Sequence, residues 1–253
     1  MMPGYTYHFT HRCVNKEYHL RFAKDRNTYR RWLRTGVCRY GVSLYGYCIT
    51  SNHVHFIGYV DKPQDTARMV QLASSQTALD YNRRKGRSGA FWAGQYHCTI
   101  IEEGEHLWRC LWYVDLNMVR CGEVDHPRDW NWCSYHEFVG SRRRYRLLAI
   151  DRLLEALGGL RREEFREMYT HGLNRALEGE KSGLPLCTYR PEWSQSLAVG
   201  SRSFVEDVQK EYRDRCSLEI KGIPYEGGKG EQIWTLREVA TSYSSKTSPE
   251  KCG

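Results

Sequence analysis

Two short segments hold the side chains best suited to chemistry. In Ser51-Asn52-His53-Val54-His55-Phe56 a histidine pair at i and i+2 sits in a β-rich run, and on a strand such a pair projects from one face. Two neutral imidazoles so placed can hold one divalent ion, which could polarise a phosphate oxygen. The same spacing also fits a strand that turns two polar side chains to solvent. Further along, Leu111 to Arg120 reads as a helix on which Tyr113 and Asn117, four residues apart, share a face. A tyrosine hydroxyl, with a pKa of about 10, is a poor nucleophile near neutral pH and needs such an ion. Asn117 would bring it an oxygen ligand beside the hydroxyl.

The donor set His53, His55 and Asn117 mixes nitrogen and oxygen, which suits Mg2+ or Mn2+ in function, while the imidazoles would also admit Zn2+, Co2+ or Ni2+. Among 18 tyrosines, Tyr113 stands out by its partner. In the other helix-like windows the residue at i+4 is Leu33 for Tyr29, Lys85 for Tyr81, Leu173 for Tyr169 and Cys216 for Tyr212. The alternative is that Tyr113, beside Trp112 and Leu116, is a core aromatic with its hydroxyl at the rim.

The elements that must position these groups follow from periodicity. Residues 5–14 alternate as a half-buried strand, 25–40 form a helix, and Val42–Thr50 with His53–Val60 form an antiparallel pair. Residues 64–83 are helical again, a basic loop runs from Asn82 to Gly89, Tyr96–Ile101 is a strand, and 104–120 is the tyrosine helix. The order β-α-β-β-α-β-α suits an α+β fold of ferredoxin-like or RRM-like type, an antiparallel sheet with helices on one face. This catalytic domain is expected to span 1–145. Beyond it, 146–253 reads as a mostly helical accessory region, with helices at 151–178 and 202–216, a proline-containing aperiodic stretch at 181–200, a further helix within Ile233–Tyr243 and a loose tail.

A net charge of +8 over 253 residues favours a polyanionic partner. The runs Arg83-Arg84-Lys85-Gly86-Arg87 and Arg142-Arg143-Arg144 can hold phosphates, although such runs also occur as solvated surface. Ten dispersed cysteines without a C-x-x-C pair point to reduced thiols rather than a zinc ribbon or a disulfide scaffold. With no basic-then-apolar leader and no run near the ~18 apolar residues of a membrane span, the expectation is a soluble cytoplasmic protein with no membrane partner.

Taken in order, Thr50-Ser51-Asn52-His53-Val54-His55, Tyr81-Asn82-Arg83-Arg84-Lys85-Gly86-Arg87, Phe91-Trp92 and Tyr113-Val114-Asp115-Leu116-Asn117-Met118-Val119-Arg120 resemble the motifs of the single-tyrosine HUH transposases, and among them the REP-associated tyrosine transposases. The resemblance covers roughly residues 5–140. It implies that Tyr113 is the nucleophile, that His53, His55 and Asn117 are the metal ligands, and that single-stranded or hairpin DNA is cut with a 5′-phosphotyrosine link and a free 3′-hydroxyl. The expected DNA contacts are Arg12, Arg83, Arg84, Lys85, Arg87 and Arg120, and a homodimer is an open option. The branch commonly reads Leu-Asn-Pro-Val-Arg-Ala-Gly, whereas Met118 and Cys121 stand here for the proline and alanine, leaving the helix geometry after Asn117 open. Two other readings are a non-catalytic RRM-like module that binds single-stranded nucleic acid and an HUH replication initiator or relaxase.

Overall fold

The computed structural model describes residues 1–181, 190–212, 217–224 and 232–238. Strand β1 (Tyr5–Arg12) is followed by α1 (Ala23–Tyr40), the hairpin strands β2 (Ser43–Ile49) and β3 (His53–Val60), α2 (Pro63–Lys85), β4 (His97–Ile101) and α3 (Glu105–Asp115). The first four strands lie in the order β2-β3-β1-β4, all neighbours antiparallel, which is the expected ferredoxin-like arrangement. Helices α1 and α2 pack together on one face. Gly36 is what lets them close, because a Cβ there would lie 2.8 Å from Met69 Cγ.

Alternation along β1 and β3 sorts their side chains between two layers. Tyr7 and Phe9 face α1 and α2 with Val54 and Phe56, and the directly opposed Phe9 and Phe56 rings stack at 4.5 Å. Thr6, His8, Thr10 and Arg12 face the other way with Tyr59, Ile57, His55 and His53. Helix α3 covers this second face, its Leu107, Leu111 and Val114 buried with Tyr45, Ile57 and Ile101. The one-face placement of helices thus holds for α1 and α2, and the tyrosine helix forms a third layer opposite them.

Helix α3 ends at Asp115. Leu116, at φ −78° and ψ 1°, breaks the backbone before the short α4 (Asn117–Arg120), so the expected helix over 104–120 is two pieces. Next come α5 (Tyr135–Phe138), α6 (Ile150–Ala156), α7 (Arg162–Lys181), α8 (Glu192–Gln195), β5 (Ala198–Gly200), α9 (Arg202–Tyr212), β6 (Leu218–Pro224) and β7 (Gln232–Glu238). The segment before α6 seals the free edge of β2: Ile49 N–H donates to Trp132 O at 2.8 Å and Tyr47 N–H to Ser134 Oγ at 2.6 Å.

Several expectations for the second half are corrected. The stretch 151–178 is two helices separated near Gly158 and Gly159, and part of 181–200 is ordered as α8 and β5. Residues 232–238 form a strand rather than a helix; its Ile233 and Leu236, spaced as on a helix, are buried in a sheet. Strands β5, β7 and β6 continue the sheet beyond β4, with β5 parallel to β4, so the mostly helical second half also adds three strands to the sheet. The remainder of the expected helices at 202–216 and 233–243, and the tail, lie outside the described residues. Among the described residues no helix is long and apolar enough to cross a membrane.

Candidate active site

Strands β1 and β3 present one imidazole cluster to α3. His8 pairs directly with Ile57, which makes His55 its diagonal neighbour, and the two rings stack at 5.0 Å with 12° between planes. His53 stands edge-on to His55 at 4.8 Å, and Arg12 lies directly opposite His53 on β1. Tyr113 descends from α3, its ring edge-on to His8 at 6.1 Å and to His55 at 6.2 Å. Asn117 reaches the same point from the start of α4, its Nδ2 3.0 Å from His55 Nε2. All of these groups except the fully buried His8 border an open cleft of about 700 Å³ that also meets Lys16, His97 and Ser194.

Hydrogen bonds decide which nitrogens carry protons. Burial lowers the pKa of His8 to about 4 and that of His55 well below the usual value. Burial, then the nearby Arg12, lowers His53 to about 3. All three rings are therefore neutral at pH 7, with one N–H and one lone pair each. Trp193 O, 2.6 Å from His8 Nδ1, can only accept, so the His8 proton is on Nδ1 and its Nε2 carries a lone pair. His55 Nδ1, 2.9 Å from that lone pair, must donate, which leaves the His55 lone pair on Nε2, facing Asn117. A second chain sets His53: Asn52 Nδ2 donates to Lys16 O at 3.1 Å, turning Asn52 Oδ1 toward His53 Nδ1 at 2.7 Å. His53 Nδ1 therefore donates, and its Nε2 holds the lone pair. Both histidines of the dyad thus present Nε2 in the form that binds a metal ion.

Asn117 adds an oxygen. Its Oδ1 is buried and has no hydrogen-bond partner among the described residues, an arrangement that costs free energy unless something occupies it. Two imidazole lone pairs and an orphaned carboxamide oxygen fit a divalent ion. No group of three or more His, Cys, Asp or Glu suited to a metal occurs among the described residues, so this mixed set is the candidate.

Tyr113 is 4% exposed, its ring packed 6.3 Å from Trp193 and capped by the Arg120 guanidinium at 4.1 Å. Arg120 Nη2 also donates to Tyr113 O at 2.6 Å, bridging the break at Leu116. Behind the tyrosine, Asp115 accepts from Tyr169 Oη at 2.6 Å and Ser134 N–H at 3.0 Å. These bonds tie α3 to α7 and to the segment that seals β2.

Of the expected DNA contacts, Arg12 and Arg120 line the cleft and the other four do not. Arg83, Arg84 and Lys85 form the last turn of α2 rather than a loop, because the helix runs on to its Gly86 cap. Arg84 pairs with the buried Asp25, and Lys85 lies over the Phe22 ring at 5.6 Å. Arg87 donates to His19 Nε2, Asn82 Oδ1 and Ala90 O at 3.2–3.3 Å. Arg83 remains at the exposed surface.

His8 and the Trp193 carbonyl were not foreseen. Alternation within β1 was the available signal for His8, since it puts that residue on the Thr6 and Thr10 face. Nothing local marks Trp193.

The molecule is thus a ferredoxin-like α+β protein with a His/His/Asn cluster and a tyrosine on the α3-covered face of its sheet. The model of the IS200-like transposase family matches residues 2–115, the segment that holds β1 to α3. A putative REP-associated tyrosine transposase of Haemophilus influenzae is 26% identical over 102 residues, covering 36% of this chain. The chain spans 58% of that relative's length. A solved structure of a REP-associated tyrosine transposase bound to a REP hairpin is 17% identical, covers 55% of this chain and 81% of its own, and has a TM-score of 0.46. The resemblance drawn from the motifs is borne out by the family and relative matches.

Proposed function

We propose that this chain is a metal-dependent transesterase that cleaves and rejoins single-stranded DNA at or near hairpin repeats through a 5′-phosphotyrosine intermediate. The observation that carries the reading is the convergence of Tyr113, two imidazoles with their lone pairs on Nε2 and the orphaned Asn117 Oδ1 on one cleft. His53, His55 and Asn117 would hold Mg2+ or Mn2+. When bound, the ion would supply charge that polarises a phosphate oxygen and orients the strand.

Tyr113 Oη attacks phosphorus; the Oη–P bond forms, the P–O3′ bond breaks, the phenolic proton leaves and the 3′-oxygen takes one up. The phosphotyrosine conserves the energy of the phosphodiester, so rejoining needs no nucleotide. Arg12 and Arg120 draw the phosphate backbone into the cleft, and Arg120 lies over the Tyr113 ring.

The test is to incubate the full chain with hairpin-bearing single-stranded oligonucleotides and Mg2+ or Mn2+ and look for a covalent adduct on a denaturing gel. The reading expects an adduct with wild-type protein that disappears on chelation. DNA binding without an adduct on any such substrate would favour the non-catalytic, RRM-like binding module.

A further inference from the structure

The run Arg142-Arg143-Arg144-Tyr145-Arg146 plays no part in the cleft. It borders a separate cavity of about 220 Å³, in which Arg142, Arg143 and Arg146 meet Arg162 and Arg166 of α7. That volume is far more than one water needs.

The charge here is poorly balanced. Arg162 pairs with Asp151 on the surface, and among the described residues none of the other four arginines has an acidic partner. Glu137, on the cavity wall, already accepts from Tyr47 Oη at 3.1 Å, Leu147 N–H at 2.9 Å and Leu148 N–H at 3.1 Å. Two guanidiniums are held by neutral acceptors instead: Arg142 Nη2 donates to Asn131 O at 2.6 Å and Arg166 Nε to Phe138 O at 3.3 Å. Those carbonyls fix the side chains without neutralising them, and Arg142 Nε is buried with no partner. Gly140, at φ +77°, stands where a Cβ would come within 2.6 Å of Arg166 Nη2, so glycine leaves room for that guanidinium at the rim. Pre-positioned guanidiniums with donors to spare match the oxygens of a phosphate.

A neighbouring aromatic points to nucleic acid as its source. Tyr145 is 67% exposed, in the left-handed region at φ +55°, with the Arg34 guanidinium 5.4 Å from its ring. An exposed ring beside a phosphate pocket gives an unpaired base a face to stack on.

We propose that this cavity binds a phosphodiester of the DNA backbone while Tyr145 stacks an adjoining unpaired base, so that the strand is gripped at a second place outside the cleft. The proposal rests on the functional reading above. Its test is binding of a fluorescent hairpin with a single-stranded flank to the full chain across a salt series. For Arg143→Ala/Arg146→Ala the slope of log affinity against log salt should flatten by about 0.7, the value for one lost single-strand phosphate contact. The charge-preserving Arg143→Lys/Arg146→Lys pair should retain the slope, which separates charge from fold. Tyr145→Ala should weaken binding at least about fivefold with the slope unmoved. If wild-type protein binds and the alanine pair leaves the slope unchanged, the proposal is overturned while the functional reading stands. It is overturned in the same way if inorganic phosphate raises the melting temperature of wild type but not of the alanine pair while the slope is unchanged, which marks a free-phosphate site. Wild-type protein that binds no hairpin at any salt overturns the functional reading and this proposal with it.

Discussion

The two faces of the β1–β3 pair are built from the same strands and held by different physics. Toward α1 and α2, Phe9 on Phe56 and the Tyr7 and Val54 around them contribute area and shape, which any side chain of similar volume can partly replace. Toward α3, His8, His55 and Asn117 are joined by bonds whose direction matters, and reversing one N–H changes the lone pair at the end of the chain. The first face tolerates exchange and sets the position of the strands. The second depends on atom identity and sets the chemistry.

The largest effect expected is on the chemical face. Tyr113→Phe should reduce the covalent DNA adduct below detection on a denaturing gel while DNA affinity and melting temperature stay near wild type, because only the hydroxyl is removed. An adduct at the wild-type rate would move the nucleophile to another tyrosine.

On the packing face, Phe56→Ala should cost about 3–5 kcal/mol in urea unfolding, and Phe56→Leu clearly less. If the two cost the same, this face is no more tolerant of volume exchange than the other.

His8→Ala should lower Mn2+ affinity about 10–100-fold by titration calorimetry, since His55 loses the acceptor that fixes its tautomer. His8→Gln, whose carbonyl can stand in for Nε2, should recover part of that loss. Equal affinity in wild type and His8→Ala would reduce His8 to packing.

The smallest effect lies off both faces. Arg83→Ala/Lys85→Ala should flatten the salt dependence of single-stranded DNA binding by at most about 1.4, and adduct yield at saturating DNA should not change. Arg84 is left in place because its removal would strand the buried Asp25.

How much was legible in the sequence follows from the range of the interactions. The spacings of 2 for His53 and His55 and of 4 for Tyr113 and Asn117 are local, and both place their side chains together even with α3 broken at Leu116. The β-α-β-β-α-β-α order is equally readable, because each element is long enough to show its period. The diagonal contact between His8 and His55 depends on the register of strands separated by a whole helix, which no local pattern encodes. Strand β5 has three residues, too few for a period, and β7 mimics helical spacing. The arginines ending α2 read as a loop because their charge masks the helix's continuation to its glycine cap.

The acceptor that orients His8 belongs to a residue made long after the family-matched segment. While the chain is being synthesised, at about 5–20 residues per second, the tyrosine and the histidine dyad leave the ribosome several seconds before Trp193 exists. Until Trp193 arrives, His8 lacks the carbonyl that holds its proton on Nδ1, and the lone pair of His55 is not fixed toward Asn117. The tautomer of His55 is therefore left unset in the nascent chain until Trp193 has been translated and folded back onto β1.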